Sequence, residues 1–230
     1  MAKQKPLGMR IGETVFCAGY LLFAVVAGII FLLARSGAHP GYASMCAAMT
    51  LPLGAGDAFH LVPRILANVH GETDDPAEQK RRAFWLGLGN LVSSITMTIF
   101  YLLLFEAMLR VPGAAETERI GQNFVRVLLA ALAVIRVVLC LFPQNNWFSR
   151  EGNPMWGIIR NVPFVAMGIV TVLYLLIWYQ EWQLALLVAL SFACYMGVVL
   201  YAHEKPMMGM LMIPKTICYI CLIANLLGRL

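Results

Sequence analysis

The chain has 230 residues, 60% of them hydrophobic and only 13% charged, with a formal charge of +5. A soluble domain carries about 25% charged residues, so the composition argues against a soluble globular fold. The basic residues stand at the ends of apolar runs and inside them, with no basic tail, which argues against nucleic acid as a partner.

The apolar residues fall in long runs, each near the roughly 20 residues that cross a bilayer core. They predict an all-α, polytopic transmembrane bundle of seven helices over 14–34, 43–68, 83–108, 122–142, 155–179, 182–203 and 207–228. These runs use most of the chain, so a single membrane domain over 1–230 is expected. Lys3, Lys5 and Arg10 precede the first run, as in a signal peptide. Its apolar stretch exceeds a signal core of about 7–15 residues, and it reads as a retained helix.

The second run carries Asp57, His60 and Arg64, whose offsets of three and seven place them on one helical face. Pro63 lies among them and removes one backbone hydrogen bond. The following turn, VHGETDDPAEQKRR, is acidic then basic and reads as solvated. In the third run Asn90, Ser94, Thr98 and Tyr101 form one polar stripe, spread over roughly 80° at helical periodicity. That stripe either bonds to a neighbouring helix or lines a cavity. The fourth run holds Arg126 near one end and Arg136 about two turns from the other. The segment PQNNWFSREGNP is dense in amides and turn formers, suited to capping helix ends and closing the mouth of a cavity. Arg160 and Asn161 begin the fifth run, and Tyr195 and His203 lie in the later half of the sixth. In the seventh, Lys215 follows Pro214. It lies roughly 12 Å deep at about 1.5 Å per residue, and Tyr219 is one turn further on the same face.

Ionisable side chains in hydrocarbon cost about 2.5–3.5 kcal/mol each and normally face a bundle interior or a wet cavity. Asp57 is the acid at a depth comparable to Lys215, so the two are expected to pair directly or through water. Arg64, Arg136, Arg160 and Lys215 then outnumber Asp57, and a buried cationic surplus needs an anion, water or carbonyls to compensate it. A small anionic or amphipathic, lipid-like ligand follows. Asp57, His60, Arg64, Asn90, Ser94, Arg136, Arg160, Asn161, Tyr195, His203, Lys215 and Tyr219 are its candidate contacts.

The six cysteines all lie within apolar runs and read as packed thiols. Cys218 and Cys221 form a CxxC without a second pair, so no metal and no cofactor is expected there. Lys3, Lys5, Arg10, Lys80, Arg81, Arg82, Arg150 and Lys205 flank one side of the bundle, against Arg35, Arg110, Arg119 and Arg229 on the other. The positive-inside rule puts the N-terminus in the cytoplasm and the C-terminus outside a cell membrane. Gly54, Gly56, Gly87 and Gly89 can pack helices within one chain or between chains, so the oligomeric state stays open.

Three functional readings fit these residues. The first is binding or transport of the lipid-like molecule in a polar pocket in the cytoplasmic half. The second is an intramembrane lipid hydrolase with Asp57 and His60 as acid and base and Ser94 or water as nucleophile. The third is a photoreceptor with retinal on Lys215 and Asp57 as counter-ion. A resemblance to microbial rhodopsins would call for an acid four residues before the lysine, where Leu211 stands.

The segment LGAGDAF resembles the Gly-Asp motif of lysoplasmalogenase-type proteins, over one helix. That resemblance implies hydrolysis of a vinyl ether bond in lysolipids with Asp57 as the catalytic acid. Pro143-Gln144 resembles one of the two motifs of PQ-loop transporters. A resemblance to the ceramidase and adiponectin-receptor group would imply three zinc-binding histidines, and only His60 and His203 lie in runs. The blocks GDAFHLVPRI, CLFPQNNWF and MLMIPKTICYI resemble those of uncharacterised bacterial seven-helix membrane proteins.

Overall fold

Each apolar run folds as a helix, and the starts of three are marked in the sequence. Pro40, Pro76 and Pro154 occupy the first helical position of their helices, where a missing N–H costs nothing. The Asp75 carboxylate accepts from the Ala77 amide, and the Asn153 side chain accepts from Met155 and Trp156. A computed structural model describes residues 7–71, 73, 75–112, 119–149, 152–202 and 205–230. It contains α1 (Leu7–Leu33), α2 (Pro40–His70), α3 (Pro76–Met108), α4 (Arg119–Leu141), α5 (Pro154–Ile177), α6 (Trp182–Tyr201) and α7 (Met212–Leu227). All seven segments are long and apolar enough to cross a membrane, and no strand occurs among the described residues.

Helices adjacent in the chain pack against each other, and α1 meets α7, so the bundle closes as a ring. The third helix also touches α5 across the interior. Side chains such as Leu22, Val25, Val127, Val134, Ile169 and Leu186 stay exposed and form the lipid-facing surface. The centre is aromatic, with Tyr101, Phe164, Phe192 and Tyr219 in mutual ring contact.

Three boundaries differ clearly from expectation: α3 begins at Pro76 instead of residue 83, which takes Glu78, Arg81 and Arg82 of the expected turn into the helix, and the other two matter for the cavity. The first helix begins at Leu7 instead of residue 14, which adds Arg10 and Glu13 to it as ordered side chains. The seventh begins as a 3₁₀ segment, Pro206–Leu211. Pro214 offers no N–H to the carbonyl of Met210, and Gly209 is a poor helix former, so α geometry starts only at Met212.

The α2–α3 contact is the closest in the bundle. A Cβ added at Gly56 would strike the Thr96 side chain, and one at Gly89 would strike the backbone of Phe59 and His60. Small residues let the two backbones approach. That approach sets the side chains of α2 directly against α3.

Candidate functional site

Asp57 stands midway along α2, at the junction with α1 and α3. Its carboxylate accepts a 2.6 Å hydrogen bond from the Tyr20 hydroxyl of α1 and another of 2.6 Å from Ser93 of α3. Both oxygens are therefore held, one from each flanking helix. His60 lies one turn further along α2, and its Nδ1 is buried without a hydrogen-bond partner among the described residues. One more turn on, the Arg64 guanidinium forms an ion pair with Glu13 of α1. Arg10 closes the same seam by donating from Nε to the Asn68 carbonyl at 2.8 Å.

Lys215 approaches from α7 and is 3% exposed. Its ammonium lies 3.3 Å from the Met97 sulfur and over the rings of Tyr195 and Tyr219, at 5.3 and 5.0 Å. No oxygen of the described residues is bonded to it. The expected direct pair with Asp57 does not form; its carboxylate is instead turned to Tyr20 and Ser93.

Asp57, His60, Arg64 and Lys215 nevertheless border one cavity of about 570 Å³ between α1, α2, α3 and α7. Its remaining wall is mostly apolar, from Met9, Phe16, Leu61, Met207, Met210 and Ile213. The volume is in the range of small-molecule sites, about 300–1,000 Å³. The lining is polar where the helices converge and apolar towards the start of α7.

The other candidate residues lie elsewhere. Arg136 is fully buried in a second cluster, with its guanidinium 3.1 Å from the centre of the Phe164 ring and bonded to Asn161 Oδ1 at 3.3 Å. The Tyr195 hydroxyl donates to the same Asn161 oxygen at 3.0 Å. Arg160 donates to Asn145 Oδ1 at 2.8 Å and stacks over Trp147. Asn145 in turn donates to the carbonyls of Leu139, Cys140 and Phe142, which caps the end of α4. The amide-rich turn thus caps α4, and its Trp147 backbone packs on Gly87 of α3. Asn90 is exposed, Ser94 donates to the Asn90 carbonyl, and Thr98 donates to the Ser94 carbonyl. Each of those hydroxyls is satisfied within its own helix. Tyr219 receives the Tyr101 hydroxyl at 3.2 Å and floors the Lys215 site. His203 lies outside the described residues.

Three cavity residues escaped the sequence reading. Glu13 fell just outside the apolar run, so the charge count missed the acid that neutralises Arg64. Tyr20 looked like one more aromatic in an apolar helix, although Glu13, Cys17 and Tyr20 share a face at helical spacing. Ser93 was passed over for Ser94. The signal for it was the stripe Gly89, Ser93 and Thr96, small or hydroxylated residues four and three apart. With Glu13 counted, the cavity wall carries two carboxyl groups, Glu13 and Asp57, against Arg64 and Lys215, with His60 beside them. The cationic surplus belongs to Arg136 and Arg160 instead.

No protein-family model, no curated protein and no solved structure matches the chain. The functional reading therefore rests on the geometry of the cavity.

Proposed function

We propose that the protein binds an amphipathic, lipid-like molecule with an anionic group, such as a fatty acid or lysolipid, in the cavity between α1, α2, α3 and α7. The supporting observation is the Lys215 ammonium, buried on the cavity wall without an oxygen partner among the described residues. A desolvated cation of that kind favours an anion brought to it. The apolar wall from Phe16 to Ile213 suits the hydrocarbon part of the same molecule. Pro63 inside α2 and Pro214 in the first turn of α7 each lack a backbone N–H and supply places where the wall can move, as transport would require. The site sits at the end of the bundle that carries the N-terminus. The excess of lysine and arginine in the loops at that end supports a cytoplasmic side for it, in a cell membrane.

Mass spectrometry of the purified protein should find a copurifying fatty acid or lysolipid. Lys215→Met should lower its affinity tenfold or more. Unchanged binding of every fatty acid and lysolipid tested in Lys215→Met and Asp57→Asn would refute the proposal. Reporter fusions at the two termini test the orientation.

A second reading is lysolipid hydrolysis, favoured by one observation. Asp57 is fixed by two hydroxyls at 2.6 Å while His60, one turn away, keeps a ring nitrogen unpartnered among the described residues. An acid and a base so placed can serve general acid–base chemistry. Release of fatty aldehyde from a vinyl-ether lysolipid, abolished by Asp57→Asn, would support it. A stable protein that returns the lysolipid intact would dismiss it.

A further inference from the structure

The opposite face of α2 borders a second recess, which the cavity does not use. Asp57, His60, Leu61 and Arg64 turn to the cavity, whereas Phe59, Val62, Pro63 and Leu66 turn outward. With Trp85 and the first turns of α3 they border a groove of about 650 Å³ on the lipid-facing surface. Phe59, Val62 and Leu66 are 48%, 44% and 50% exposed, so this wall is open to the bilayer.

The groove changes character along its length. Its middle is hydrocarbon, and its end at the α2–α3 turn is basic, with His70, Arg81 and Arg82. Among the described residues Glu78 is the one acid in the lining, and it is already bonded to Arg82 at 2.6 Å. Arg82 also donates to the Gly71 carbonyl. Arg81 makes no hydrogen bond or ion pair among the described residues. The His70 Nδ1–H is directed to the Leu66 carbonyl at 2.9 Å, which leaves Nε2 at the groove's end. Among the described residues, one guanidinium is therefore unused where an apolar trough meets the headgroup level, beside a tryptophan of the type found at that level.

A membrane-facing trough with hydrocarbon walls and a cationic end complements one ligand class closely. We propose that the groove is a docking site for an anionic phospholipid of the surrounding bilayer. An acyl chain lies along Phe59, Val62 and Leu66, and the headgroup phosphate meets Arg81. Arginine presents a planar fork of donors suited to phosphate oxygens. The site is separate from the cavity proposed above, with α2 as the wall between them.

The test uses the full chain, purified in mild detergent and exposed to equimolar phosphatidylglycerol and phosphatidylcholine, with retained lipid counted by native mass spectrometry. Phosphatidylglycerol should be retained several-fold over phosphatidylcholine. Arg81→Gln should bring that ratio close to one. Val62→Trp, which fills the trough without altering charge, should lower total retained phospholipid. Lys205→Gln removes a positive charge at the same end of the bundle but outside the groove, and should leave the ratio unchanged. A wild-type ratio in Arg81→Gln, or an equal fall in Lys205→Gln, would overturn the proposal. So would loss of the preference in Lys215→Met, which would assign the retained lipid to the cavity instead.

Discussion

Replacing Gly89 by alanine tests the contact on which the cavity's geometry depends. An added Cβ would lie 2.6 Å from the His60 Cα and 2.7 Å from its nitrogen, with the Phe59 carbonyl oxygen closer still. Carbon atoms pack comfortably at about 3.5–4.0 Å, so α2 must withdraw from α3 by roughly 1 Å. The obstacle is backbone, which cannot rotate aside as a side chain would. Overpacking of this kind costs about 1–3 kcal/mol, and a rigid neighbour places it at the upper end. Alanine recovers up to about 1 kcal/mol of helix propensity, leaving a net loss near 2 kcal/mol. At about 2–4 °C per kcal/mol for a chain of this length, the unfolding midpoint should fall by about 4–8 °C. Withdrawal also lengthens the 2.6 Å Ser93–Asp57 bond, so ligand affinity should fall with stability. Thermal unfolding in detergent and ligand titration read the two effects. Gly19→Ala is the control, because its Cβ meets nothing within 4 Å. If Gly89→Ala melts at or above the midpoint of Gly19→Ala, the close α2–α3 approach is not what holds the site.

Ser93→Ala should cost about 1.5–3 kcal/mol, since it removes a hydrogen bond to a charged carboxylate, whereas Ser94→Ala should stay within about 0.5 kcal/mol; equal losses in a denaturation series would contradict the assignment. Asn145→Ala should lower stability by about 2–3 kcal/mol, because it strips the α4 cap and leaves the Arg160 guanidinium without its amide oxygen. Arg136→Met should change ligand affinity by less than about twofold, being off the cavity wall, and a tenfold loss by calorimetry would place Arg136 in the site. The last concerns pH. The hydrogen bonds and charge of Arg229 hold the Glu181 carboxyl below the usual carboxylate range, against a smaller opposing effect of burial. A depressed folded value means the pair's contribution is present at neutral pH and is lost as pH falls through that value, below about 4.3. Glu181→Gln should therefore cost about 0.2–1 kcal/mol at pH 7 and nothing in strong acid, as read from unfolding midpoints at the two pH values.

The number, order and approximate bounds of the helices were legible because each span is dictated by one requirement, burial of backbone polar groups in hydrocarbon. Site geometry follows a different requirement, which side chain meets which helix, and a single chain states that only in part. The stripe Asp57, His60 and Arg64 was readable from periodicity because all three lie on one helix and share a wall. Arg136 could not be separated from Lys215 that way. Both are deep cations on apolar helices, and only the packing shows one stacked on Phe164 and the other facing a void. Hydropathy also hid Glu13, because a span drawn from the apolar residues alone ends where the first charge begins.

The two buried cations show why a charge count is a poor guide to a binding site in a membrane protein. Arg136 is delocalised, lies on an aromatic face and has an amide oxygen within reach. Weak hydration makes guanidinium the easier cation to house in this way. Lys215 carries a compact, strongly hydrated ammonium whose three donors find a thioether and two ring faces. Neither contact replaces water as well as an oxygen would. Arg136 too keeps Nε and Nη1 buried without an acceptor among the described residues, but only Lys215 faces the void, while Asp57, the nearby acid on the same wall, is bonded to Tyr20 and Ser93 instead. Removing either hydroxyl would loosen the orientation of the carboxylate and let it turn towards the lysine. Tyr20→Phe and Ser93→Ala should then weaken binding of the anion through competition from Asp57, although neither hydroxyl need touch the ligand.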